Sequence, residues 1–77
     1  MTNEEKPRAG SAPTLGIELR QAREAMGLSL REVSERTKIR QPALRAIESD
    51  DLRQLPGGAI GRGFVKLYAR EVGLDPH

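Results

Sequence analysis

The chain has 77 residues, no cysteine, a single histidine at position 77, two aromatic residues and a formal charge of only +2. These values exclude a disulfide framework, a thiolate metal site and a thiol nucleophile, and they leave no histidine inside the chain for acid–base chemistry. No apolar run approaches the ~20 residues of a membrane span, and the N-terminus lacks a signal-peptide core.

Residues 1–13 (MTNEEKPRAGSAP) are polar, carry two prolines and show no apolar periodicity, which predicts a disordered polar tail. Only Met1, Ala9 and Ala12 among the apolar residues precede Leu15, so the folding unit is expected over residues 14–77. A unit of that size buries just enough surface to stand alone and has little spare stability for a large internal cavity.

The first helix is expected from Leu15, with Leu19, Ala22 and Met26 completing a stripe at i, i+4, i+7 and i+11. Thr14 suits its N-cap and Gly27 the left-handed residue that follows it, while Gly16 weakens the first turn. The second helix has the best-specified start. Ser29-Leu30-Arg31-Glu32 is a capping box, and Leu28 and Val33 occupy the two positions of a hydrophobic staple.

A stop near Arg36, a turn at Thr37-Lys38-Ile39 and a third helix beginning near Gln41, with Pro42 in its first turn, have the spacing of a helix-turn-helix. Val33, Ile39, Leu44 and Ile47 supply the apolar residues that pin such a pair together. A plain three-helix bundle gives the same pattern.

A turn at Ser49-Asp50-Asp51 and a linker through Leu52, Leu55 and Pro56-Gly57-Gly58 precede a last helix from Ala59 to Val72. Ile60, Phe64, Leu67 and Tyr68 are expected on its inner side, and Arg62, Lys66 and Arg70 form a separate basic stripe. Gly73 ends it, with Pro76 beyond. With no strand pattern and no repeat, the fold class is all-α. The expected architecture is a compact, repressor-like domain of four to five helices with a central helix-turn-helix.

Leu15-Gly16, LRQAREAMGLSLREVSERTKI from Leu19 to Ile39, AIE from Ala46 to Glu48, LPG from Leu55 to Gly57 and RGFVKLYAREVGLDP from Arg62 to Pro76 closely resemble the cytoplasmic helix-turn-helix domain of the RodZ family of bacterial cell-shape proteins. The likeness covers residues 14–76. It implies a five-helix domain related to phage-repressor (XRE) DNA-binding domains, with the actin-like filament protein MreB as partner. In that family a transmembrane helix and a periplasmic domain follow the module. The chain is then either an excised domain or a free-standing relative. The expected location is cytoplasmic, at the inner face of the membrane if a parent protein carries a span after His77.

Two surfaces compete for the function. On the third helix the outer side is expected to carry Pro42, Arg45, Ala46 and Ser49. Base readout favours Arg, Lys, Asn or Gln. Gln41 and Arg45 are the candidates, with Lys38 and Arg40 suited to phosphate, yet the near-balanced charge gives DNA only a weak attractive field. On the last helix, Phe64 and Tyr68 are the only aromatics and lie i, i+4 beside the basic stripe. Phe64 also fits the core, whereas Tyr68 is expected further round, at a partly wet interface. The resemblance assigns Lys66, Tyr68 and Arg70 as partner contacts, with Phe64 and Arg62 beside them.

Other features have plainer roles. Gly61-Arg62-Gly63 lacks the strand and lysine of a phosphate loop and instead lets the last helix pack closely. Asp50 and Asp51 read as a turn or cap rather than a metal site, Glu48 as an ion-pair or capping partner of a neighbouring arginine rather than a general base, and Ser29 as a cap rather than a nucleophile. Neither catalysis nor a cofactor, metal or small-molecule substrate is expected.

Overall fold

A computed structural model describes residues 14–74; the tail expected over residues 1–13 lies outside them. Four α-helices and one 3-10 turn follow in order: α1 (Leu15–Ala25), α2 (Leu30–Thr37), α3 (Gln41–Glu48), the turn Leu52–Gln54 and α4 (Gly58–Glu71). No strand occurs among the described residues. α2 packs on both α3 and α4, and α1 packs on α3.

Local chemistry sets the helix starts. The Thr14 hydroxyl accepts from the Ile17 amide at 3.2 Å. Both arms of the capping box form: Ser29 Oγ accepts from the Glu32 amide at 3.0 Å, and the Ser29 amide donates to Glu32 Oε1 at 2.8 Å. Pro42 enters the first turn of α3, where its missing amide costs nothing. Gly27, at φ 71°, takes the left-handed position after α1.

The turn between α2 and α3 has no glycine. Lys38 adopts φ 65° there, a strained setting for a lysine. Its neighbours hold it. Lys38 N donates to Ser34 O at 2.8 Å, Thr37 Oγ1 donates to Val33 O at 2.8 Å and accepts from Ile39 N at 3.2 Å, and Ser34 Oγ donates to Ile39 O.

The core consists of Leu19, Leu28, Val33, Ile39, Leu44, Ile47, Tyr68, Ala69 and Val72, with Ala22, Leu30, Phe64 and Val65 packed against it. Several expectations are corrected here. Leu15 and Met26 are each 52 % exposed, so only Leu19 and Ala22 of the α1 stripe face inward. Ala46, expected on the outer side of α3, is buried.

On α4, Ile60 and Leu67 point to solvent at 62 % and 44 % exposure, while Gly61, Tyr68, Ala69 and Val72 are buried. The buried face is therefore rotated from the expected one: Tyr68 fills it, and Gly61 and Ala69 take the tighter positions beside it. At Gly61 an added Cβ would run into the Pro56 carbonyl oxygen; at Gly63 it would meet open space. Of the two glycines, only Gly61 serves close packing.

Gly16 does more than weaken a turn. A Cβ there would stand 2.5 Å from Ile47 O and 2.6 Å from Glu48 O, so its absence is what allows α1 to cross the end of α3. Asp50, at φ 58°, supports the same crossing: it accepts from Thr14 Oγ1 at 2.6 Å and from the Gly16 amide at 3.0 Å. Placed at the α1 N-terminus, this carboxylate acts as a second cap supplied from a distant part of the chain.

Candidate functional site

The two surfaces singled out by the sequence are both present, with different residues facing outward. Lys38, Arg40 and Arg45 are exposed around the turn and the start of α3, and Gln41 is half-buried. Pro42 is exposed and offers no hydrogen-bond donor. The outer side of α3 thus presents one flexible cation, Arg45, where base readout needs several donors.

On α4, Arg62, Lys66 and Arg70 are exposed, Phe64 is half-buried, and Tyr68 is fully buried. At 100° per residue the three cations share an arc of about 80°, and Ile60, Phe64 and Leu67 share an adjacent arc of about 60°. The solvent side of α4 is itself divided into a basic strip and an apolar strip. Among the described residues, none of Arg62, Lys66, Arg70, Lys38, Arg40 and Arg45 takes part in an ion pair. The sequence concealed this division because Ile60 and Leu67 read as core.

Tyr68 is held by a polar cluster at the junction of three helices. Its hydroxyl donates to Glu48 Oε2, which also accepts from Arg23 Nε at 2.8 Å. Arg23 adds a second bond to Glu48 Oε1 at 3.3 Å and a third to the Leu28 carbonyl at 2.9 Å. The arginine and glutamate side chains keep only 12 % and 10 % of their exposure.

Every charged atom of this near-buried pair therefore faces a partner, the condition under which such a pair is tolerated. The hydrogen bond to Glu48 holds the Arg23 guanidinium still more firmly charged than usual. Burial first, and then the Glu48 carboxylate, push the Tyr68 hydroxyl well above its ordinary value of 10.0. Glu48 is an ion-pair partner as expected, but of an arginine 25 residues away. Tyr68 thus positions α4 from the inside and is not itself on the outer surface. Nearer the far end of α4, Arg36 of α2 pairs with Glu71 at 3.2 Å.

No group of histidine, aspartate and glutamate side chains suited to a metal occurs among the described residues, and no helix there is long and apolar enough to cross a membrane.

These features agree with what the chain is similar to. A family model described as a helix-turn-helix domain matches residues 18–77. The cytoskeleton protein RodZ of Streptococcus pneumoniae (strain ATCC BAA-255 / R6) is 47% identical over 62 residues, which are 80% of this chain and 22% of that protein. The chain thus spans about a fifth of the length of that relative. The structure of YmfM from Staphylococcus aureus, a candidate DNA-binding membrane protein, superposes with a TM-score of 0.77 at 35% identity, covering 84% of this chain and 79% of that one. The chain belongs to the helix-turn-helix domain family, and its domain is of the RodZ type.

Proposed function

We propose that this domain is a non-catalytic docking module that binds the actin-like filament protein MreB through the outer side of α4, on the cytoplasmic face of a membrane. The observation that carries this reading is the split surface of α4, with Arg62, Lys66 and Arg70 beside Ile60, Phe64 and Leu67. An acidic, partly apolar partner surface complements both strips at once: the charges steer the encounter, and the apolar contact slows its release. The similarity to a cytoskeleton protein supports the same choice. Tyr68 contributes indirectly, by fixing the orientation of α4 through Glu48.

Co-sedimentation with MreB filaments tests the reading. Saturable binding is expected, and Lys66→Glu together with Arg70→Glu should weaken it by at least about tenfold.

A second reading, a phage-repressor-type DNA-binding regulator, is favoured by the exposed Lys38, Arg40 and Arg45 and by the likeness to YmfM. It predicts affinity that falls steeply with salt and prefers one sequence over random DNA. The outer side of α3 offers phosphate contacts but few base contacts, so any binding to DNA should be sequence-independent. Nanomolar, sequence-selective binding at physiological salt would establish the second reading instead.

A further inference from the structure

An open concavity of about 230 Å³ lies between the 3-10 turn and the first half of α4. Leu52, Leu55, Pro56 and Val65 give it apolar walls, the buried Gly61 lies among them, and the exposed Arg62 borders it. Leu52 is 56 % exposed, so this wall of the concavity is open to an incoming group.

The volume falls below the roughly 300–1,000 Å³ of sites that hold cofactors or drug-sized ligands. It has room for an aliphatic side chain, since an apolar cavity of about 150 Å³ already holds a benzene ring. The charge at its border is a cation whose flanking acidic residues in sequence are both engaged: Asp51 accepts from Arg53 Nε at 3.1 Å and from Gln54 Nε2 at 2.6 Å, and Glu71 pairs with Arg36 at 3.2 Å.

We propose that this concavity receives one aliphatic side chain of a partner polypeptide, with a carboxylate on the adjacent residue pairing with Arg62. The pairing supplies orientation and the apolar walls supply most of the affinity, as at other interface anchors. This goes beyond filament docking in naming a second contact, on the opposite side of the basic strip from Ile60 and Leu67, and a local motif that would occupy it.

The probe is the peptide acetyl-Gly-Asp-Leu-Gly-amide, titrated into the full isotope-labelled chain and followed by amide shifts in solution NMR. Saturable shifts confined to the stretch from Leu52 to Val65 are expected, with a dissociation constant in the millimolar range. Replacing the peptide's leucine by alanine should weaken binding roughly tenfold. Replacing its aspartate by asparagine should weaken it roughly threefold, and Arg62→Gln in the protein should do the same. Leu52→Asp, at an exposed position, should abolish the shifts while leaving the rest of the spectrum in place.

Lys66→Glu should leave peptide binding unchanged while impairing filament binding, so failure of one proposal is separable from failure of the other. Absence of saturable shifts, or an affinity left unchanged when the leucine or the aspartate of the peptide is replaced, would overturn the proposal. So would shifts at the same residues that grow with protein concentration alone, which would assign the concavity to a second copy of the chain.

Discussion

The Tyr68 hydroxyl donates to Glu48, so the last helix is fastened by one hydrogen bond to the end of the third. Arg23 reaches the same carboxylate from α1, which makes Glu48 the point where three helices meet. The outer side of α4 is therefore oriented from within, and a change at its inner face will disturb the outer one. For this reason Tyr68→Ala is a test of folding rather than of partner contact.

Two substitutions separate the ring from the hydroxyl. Tyr68→Phe keeps the packed ring and removes one donor to a carboxylate still held by Arg23, and should cost about 1–2 kcal/mol. Tyr68→Ala opens a cavity in the core and should cost about 3–5 kcal/mol, enough to leave so small a domain largely unfolded. Chemical denaturation of the three proteins checks both figures.

Alkaline titration gives an internal report, because Tyr68 is the only tyrosine and there is no tryptophan. Its folded-state value is raised above 10.0, so its contribution is fully present below pH 10 and is lost as pH rises toward the folded value. Tyrosinate absorbance should therefore appear late and in step with loss of helix signal. A simple titration near pH 10 with the helices intact would contradict the buried position.

On the acid side, the Ser29 amide and then its hydroxyl hold the Glu32 carboxyl below its ordinary 4.5. Lowered values act in the opposite sense: the contribution is present above about pH 4.5 and is lost as pH falls through the folded value. Glu32→Gln should flatten this acid limb of the stability curve. Thermal melts between pH 3 and 6 would show it, and an unchanged slope would count against the capping box.

Gly16→Ala should destabilise the domain by about 1–3 kcal/mol, since the new methyl meets two backbone carbonyls, which cannot move aside, as well as the capping carboxylate of Asp50. Helix propensity alone predicts the reverse, a gain of about 1 kcal/mol. The sign of the change in a denaturation midpoint decides between them.

The helix starts were legible in the sequence because they rest on contacts three or four residues apart, as at Thr14, Ser29-Glu32 and Pro42. The helix-turn-helix spacing was legible for the same reason. What faces inward on α4 was legible only in part. Tyr68 is buried on the inner side, as its stripe implies, but hydrophobicity also favours Ile60 and Leu67, whereas the fold buries Gly61 and Ala69. Gly61 is buried because the Pro56 carbonyl of the preceding linker folds back onto it. The Arg23–Glu48–Tyr68 cluster joins residues 20 and 25 apart, with no local pattern to reveal it. The buried Ala46 shows the same limit on α3, where periodicity alone placed it outside.

The most direct test of α4 as the docking surface compares two charge-reversed proteins against MreB filaments, after circular dichroism has shown both to be folded. One carries Lys66→Glu with Arg70→Glu, and the other Lys38→Glu with Arg45→Glu. Filament affinity should fall at least about tenfold for the first and stay within about twofold for the second. Unchanged affinity for the first pair, with loss confined to the second, would contradict the account.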